Sequence, residues 1–253
     1  MSGFSRIRWL TLTGPCALLV VWFLASSVFH INPLLLPSPQ ETVARLWALC
    51  ARGDILPDVR ASAIRWLGGY ALGCAAGIPI GLLMGAYRRV YESLEFLVDF
   101  FRSLPVTAMF PLFLLLFGMG DSSKIAMVFA ATVFIVILNS AYGVFHTAPA
   151  RVKMARTFGA SRLQIFFRIT IFEALPSALV GMRTALSLSL IVVVVSEMFI
   201  GTKEGIGQRV FEAYQKNVPD TLYALILFLG LVGYVTNKVF VFAEKRMAFW
   251  AGK

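Results

Sequence analysis

Residues 66–87 read WLGGYALGCAAGIPIGLLMGAY, a run of 22 residues between Arg65 and Arg88 that carries no charge. A helix needs about 20 mostly apolar residues to cross the hydrocarbon of a bilayer, because backbone amides left unpaired in lipid are costly. This run is long enough to do so. It also carries Gly69, Gly73, Gly77, Gly81 and Gly85, spaced four apart, which forms one glycine ridge on a helix. Such a ridge lets a second helix approach to backbone contact, which is how helices associate where lipid supplies no hydrophobic drive. A glycine-lined pore is the alternative reading, and helix packing is preferred.

Working outward by charge-free intervals gives five more spans. They are roughly Trp9–Phe29, Ser103–Gly120, Ile125–Phe145, Ser177–Gly201 (with Arg183 and Glu197 inside) and Thr221–Ala243 (with Lys238 inside). The expected fold is all-α, a polytopic membrane protein of six transmembrane helices. Pro79, Pro105 and Pro111 each remove a backbone donor and should break or kink their helices. The first run follows Arg6 and Arg8 and ends near Ala25-Ser26-Ser27, yet it is longer than the 7–15 residue core of a signal peptide. It reads as an uncleaved anchor.

Composition agrees. The 253 residues are 58% hydrophobic and 14% charged, with mean hydropathy +0.79, against about 45–50% and about 25% in soluble domains. The net charge of +10 would suggest nucleic acid in a soluble protein. With six spans and a cytoplasmic N-terminus, however, 15 basic and five acidic residues fall on the inside, and eight of each on the outside. Basic residues resist translocation, so topology accounts for the whole excess and both termini are expected in the cytoplasm. No nucleic acid partner is needed. Cys16, Cys50 and Cys74 form no CxxC pair and suggest neither a disulfide framework nor a metal site.

The segment between spans four and five, from His146 to Pro176, is basic without being Gly/Ser-rich. In ARTFGASRLQIFFRITIFEALP, Phe158, Leu163, Ile165, Phe166, Ile169 and Ile171 alternate with Arg156, Arg162 and Arg168, interrupted by Gly159 and Ser161. Short amphipathic helices joined at a turn are expected. They could lie on lipid headgroups or dock into a groove of a partner, and composition does not separate the two.

Four residues are candidates for a translocation path. Glu197 lies about one turn from the outer end of its span, where an acid is either functional or a packing group. Arg183 is 14 residues away, too far to pair with it along one helix. Arg102 and Arg183, near the inner side, either favour a departing anion or anchor their helices at the headgroups, and anchoring is preferred. Asn139 could bond a neighbouring helix or a solute.

Taken in order, ARTFGAS, ALPSALVGMRTAL, VVVVSEMF, GIG and Trp250 resemble the inner-membrane permease subunits of type I ABC importers. With GIPIGLLMG at 77–85 and LPVTAMFPLFLLLFGMGDSSKI at 104–125, the chain is similar to their nitrate/sulfonate/taurine/bicarbonate branch. The resemblance covers about Leu56–Trp250, which leaves 1–55 as an N-terminal helix and periplasmic segment and 56–250 as the transporter domain. It implies that the loop at about 146–176 is the EAA loop, whose coupling helix docks into a cleft of an ATPase subunit. By position, Glu-Ala-Ala falls on Lys153, Met154 and Ala155, and the central glycine on Gly159. The docking set is thus Lys153, Ala155, Arg156, Thr157, Phe158, Gly159, Ala160 and Ser161. Lys153 and Met154 depart from the pattern, as does Ile171-Phe172 at the first Leu-Pro pair, while Leu175-Pro176 keeps the second. The resemblance further implies two ATPase partners, a second permease copy (a homodimer being favoured), a periplasmic solute-binding protein and a bacterial inner membrane. ATP and magnesium would be held by the ATPase, with no cofactor in this chain.

The chain has no GxxxxGK[ST] loop, no GxSG serine and no paired carboxylates within a span. Its two histidines, His30 and His146, sit at span ends. An intramembrane enzyme is therefore disfavoured. An ion-driven secondary transporter is the runner-up, without the midplane acid or inverted repeat it would favour.

Overall fold

The computed structural model describes residues 3–29 and 31–250, with side chains from residue 13 onward. Among the described residues every regular element is helical. Helix α1 (Gly3–Phe23) continues as a wider π turn through Val28, and α2 (Pro39–Ala51) follows. The long α3 (Leu56–Ala86) leads into amphipathic α4 (Arg88–Ser103), a single 3-10 turn (Val106–Met109) and short α5 (Phe110–Phe117). Next come α6 (Asp121–Phe145), α7 (Pro149–Thr157) and α8 (Arg162–Ile165). The last runs through a π turn into α9 (Ile171–Ile200), before α10 (Ile206–Gln215) and α11 (Pro219–Met247).

Four helices are long and apolar enough to cross a membrane: α3, α6, the continuous stretch Arg162–Ile200, and α11. A bent pair, α4 with Val106–Phe117, whose halves meet at 84°, is long and apolar enough only when its two halves are taken together, as a broken span or a re-entrant loop is. The third expected span, Ser103–Gly120, is therefore not one straight helix. Leu104 takes an extended backbone before Pro105, as pre-proline sterics favour, and α5 has only eight residues. Pro79 behaves differently from the expectation of a break. Its fixed φ is compatible with a helix, and α3 runs through it uninterrupted. The first expected span, Trp9–Phe29, lies partly outside the residues with described side chains, as do Arg6 and Arg8. Its described part, Thr13–Val28, is a shorter apolar helix. His30 lies outside the described residues.

Helices α3 and α6 run parallel at glycine-limited distance. Gly69, Gly73, Gly77, Gly81 and Gly85 meet Val128, Thr132, Val136, Ser140 and Val144 in turn, a constant offset along both chains. A Cβ on any of the five would enter α6, so the ridge is the packing surface. Helix α9 runs antiparallel to both, with Gly143 against Ala174 and Gly181 against Asn139. The Trp66 indole donates to Ser189 Oγ at 2.8 Å, and the Tyr70 hydroxyl to Met182 O at 3.1 Å. Helix α2, started by a reciprocal Ser38/Glu41 capping box, packs on the first half of α11 through Leu49, Leu225 and Ala224.

This order gives the bundle two ends. At one lie the starts of α3, α6 and α11 with the finish of α9. At the other lie the finishes of α3 and α6 together with α7 and α8.

Candidate functional site

Three places along the bundle carry chemistry. The first is the protruding turn between α6 and α9. Helix α7 ends in a Schellman motif: Gly159 has φ +78°, its N–H donates to Arg156 O at 2.9 Å, and Ala160 N–H donates to Ala155 O at 3.0 Å. Only glycine takes that conformation without strain. Ser161 then opens α8 with a second capping box, exchanging bonds with Gln164. Phe158 at the tip is 84% exposed and Met154, one turn back, 60%. Ala155, Thr157 and Ala160 keep the rest of the tip small. Glu173 fixes this hairpin to α9, accepting from the Ala148 N–H and from Arg151 Nη1, both at 2.7 Å. The segment is thus one short helix and one turn. Its second half is not loop, because α8 continues into α9 as 39 helical residues, about 58 Å at 1.5 Å per residue. That is far longer than a bilayer core.

The second place is midway along α6. Phe101 stacks on Phe134 with centroids 5.6 Å apart, which sets α4 climbing beside α6 from Tyr91, in edge contact with Phe145. Arg102 therefore lies beside Ala131, Phe134 and Ile135, near the centre of α6. It is therefore beside the middle of α6 rather than at an end of that helix, where anchoring was expected. It lines a cavity of about 260 Å³ with Thr107, Leu188 and Ile191. Its side chain stays 52% exposed and makes one bond, to Asp99 at 3.3 Å. Glu92, Glu95, Asp99 and Arg102 form one stripe along α4, flanking the face where Val98 is buried against Val133 and Ile137.

The third place is the far end. Glu197 is 0% exposed. It accepts from Arg65 Nη1 at 2.7 Å, from Ser62 Oγ and from the Gly207 N–H at 2.9 Å. Arg65 also donates to Asp121 at 2.7 Å, Glu204 O at 2.7 Å and Thr202 Oγ1 at 3.0 Å. Ser62 accepts from the Ile206 N–H. Buried Lys124 donates to the Met119 and Gly120 carbonyls. Two cations and two carboxylates thus tie together α3, α6, α9 and α10. Glycine is required at 205 and 207, because a Cβ at Gly205 would fall 2.7 Å from the Glu197 carboxyl carbon and one at Gly207 would strike Val194 O.

The other path candidates have structural partners. Glu197 faces no cavity and closes the ion cluster. Arg183 pairs with Glu244 at 3.4 Å and ties α9 to α11. Asn139 Nδ2 donates to Ile135 O at 2.9 Å and its stem packs on Gly181. Sequence reasoning did not single out Arg65, Ser62, Asp121, Thr107 or Glu173. The available signal was that Arg65, Asp121 and Glu197 each fall at the same end of three different spans.

Among the described residues the regular elements are all helical, and four helices, or five counting the bent pair as one, are long and apolar enough to cross a membrane, the make-up of a multi-pass membrane protein. Residues 77–249 match the family described as binding-protein-dependent transport system inner membrane component. The chain is 31% identical to the putative aliphatic sulfonates transport permease protein SsuC of Escherichia coli, over 93% of this chain and 89% of that protein. It is 27% identical to the taurine transport system permease protein TauC of the same organism (98% and 92% covered). Against the nitrate import permease protein NrtB of Synechocystis it is 25% identical (90% and 84%). Among solved structures, a chain of the inward-facing MetNI methionine ABC transporter shares the fold, with TM-score 0.62 at 18% identity, over 78% of this chain and 96% of that one. The chain therefore belongs to the ABC importer permease family, in its nitrate/sulfonate/taurine branch.

Proposed function

We propose that the chain is the membrane subunit of an ATP-driven importer, passing a small anion such as nitrate, a sulfonate, taurine or bicarbonate from a periplasmic binding protein to the cytoplasm. Two copies form the path, two ATPase subunits bind the α7 hairpins, and ATP with magnesium is held by those partners. On this reading α1 completes six crossings in a bacterial inner membrane, both termini are cytoplasmic, and residues 1–55 precede a transporter domain at 56–250.

The observation that carries the proposal is the hairpin. Phe158 and Met154 project from a helix whose last turn is closed by the Gly159 motif and whose base is clamped to α9 by Glu173. A surface built this way offers apolar side chains to a groove and passes displacement to a spanning helix. Arg102 supports an anionic cargo. A guanidinium at mid-depth is retained where it faces water or a partner, and its cavity combines one cation and one hydroxyl with apolar walls.

The test is co-purification with a candidate ABC ATPase from the same source. Wild type retains the ATPase and shows binding-protein-stimulated hydrolysis, whereas Phe158→Asp, at a site with no buried contact to lose, inserts normally and releases it. Equal retention by both refutes the docking role, and no association by either turns the argument to an ion-driven carrier.

A further inference from the structure

Helix α7 has two faces. Met154 and Phe158 point outward, whereas Pro149, Val152, Lys153 and Arg156, at i, i+3, i+4 and i+7, share the other face. That second face lines a cavity of about 520 Å³ between α7, α8 and the finishes of α3 and α6, within the range of small-ligand sites. Three cations line it: Lys153, Arg156 and Arg162. No ion pair joins any of them to an acid among the described residues. Glu173 and Glu92 are engaged elsewhere, with Arg151 and Arg88. Thr147 also lines the cavity, and its Oγ1 is buried with no hydrogen-bond partner. A buried hydroxyl without a partner is costly. Three unpaired cations and one unpaired hydroxyl are the donor set of a phosphate group.

Most of the remaining wall is apolar, with Val144, Ile165 and Phe166 beside Tyr87 and Thr170. Tyr87, Tyr142 and Phe145 stand exposed at this level, as aromatic side chains do at a membrane interface. A free phosphate would leave that wall against water, whereas a lipid headgroup would cover it with its glycerol and first methylenes. We propose that this cavity seats the phosphodiester of an anionic phospholipid, with Lys153, Arg156 and Arg162 on its oxygens and Thr147 donating from beneath. Lys153, which departs from the acidic residue of the family pattern, then serves the bilayer side of the hairpin rather than its docking side. The lipid would act as a wedge holding α7 at a fixed height under α3 and α6.

Native mass spectrometry of the whole chain in detergent, titrated with phosphatidylglycerol or phosphatidylcholine, tests this. Retention of phosphatidylglycerol is expected to exceed that of phosphatidylcholine and to fall about fivefold for each cation removed in Lys153→Gln, Arg156→Gln and Arg162→Gln. Thr147→Val should weaken it, and Arg168→Gln, on the same segment but outside the cavity, should not. Equal loss in Arg168→Gln would mean diffuse charge and would overturn the site. Displacement of the lipid by millimolar inorganic phosphate would overturn lipid as the occupant. Unchanged lipid retention with loss of the ATPase in the three variants would assign the cations to protein docking instead. Each variant is first checked for a wild-type elution profile, so that misfolding is read separately.

Discussion

Gly68 and Gly69 are adjacent on α3, yet they should respond oppositely to one added methyl group. A Cβ at Gly69 would lie 2.6 Å from Ile125 O and 2.6 Å from Val128 Cβ, while one at Gly68 would meet nothing within 4 Å. Ordinary carbon contacts begin near 3.4 Å, so Gly69→Ala must push α3 from α6 by about 0.8 Å. The obstructing oxygen is helix backbone and cannot swing aside. A gap of that size forfeits a quarter to a half of each contact along the ridge. At about 0.1–0.2 kcal/mol per atom pair, over some dozens of pairs, the loss is about 2 kcal/mol, inside the range of about 1–3 kcal/mol for overpacked sites. Gly68→Ala, in open space within the helix, should be neutral or stabilising by up to about 1 kcal/mol. Thermal unfolding in detergent, followed through tryptophan fluorescence, reads both. Equal shifts for the two variants, or no shift for Gly69→Ala, would refute the close α3–α6 interface.

Glu197→Ala leaves the Arg65 guanidinium buried beside empty space and should cost about 3–5 kcal/mol. Glu197→Gln, which keeps an acceptor for Ser62 and Gly207, should cost less in the same unfolding assay. Arg102→Gln should lower anion uptake into proteoliposomes while leaving ATPase association and thermal stability near wild type. Uptake unchanged by the substitution would remove Arg102 from the path. Glu173→Ala cuts both bonds from α9 to the base of α7. Binding-protein stimulation of hydrolysis should fall while the basal rate and assembly persist, and full stimulation would show that the clamp transmits nothing.

Four of the expected crossings were readable because lipid imposes a length and a polarity on each span. The glycine ridge was readable because its four-residue period is a helix period. Arg102 was misplaced for a reason that lies outside local pattern. Charge-free intervals mark the ends of a span only when the helix carrying the next charge leaves the membrane. Helix α4 does not leave. It climbs along α6 with Val98 buried and a charged stripe flanking it, so a charge that looked like a boundary sits beside the middle of α6. Glu197 was placed at the correct end of its span, but its partner Arg65 lies 132 residues earlier. Pairing at that distance follows from which helices are neighbours. The Gly159 turn was legible as a helix stop, whereas the uninterrupted run from α8 into α9 was not, because Arg162 and Arg168 read as surface.

That uninterrupted run bears on how the three places communicate. Along Arg162–Ile200 one helix carries the Glu173 clamp, then Leu188 and Ile191 on the wall of the Arg102 cavity, and finally Glu197 in the ion cluster. It is held to α6 at Gly143–Ala174 and again at Asn139–Gly181, both at distances that leave no room for a methyl group. Close-packed contacts of this kind do not deform gradually. A push on α7 is therefore passed to α6 and α9 together, and the two move as one body rather than bending between the hairpin and the cavity. Because α3 is locked to α6 by its glycines and to α9 through Arg65, it must move with them. The α4–α5 pair, which bends at Leu104–Pro105, meets this body through aromatic stacking, Phe101 on Phe134 and Phe110 on Phe199, rather than through a glycine seam. Gating on this reading is a rigid-body displacement of α3, α6 and α9 against the bent pair, with Arg102 on the surface where the two parts separate.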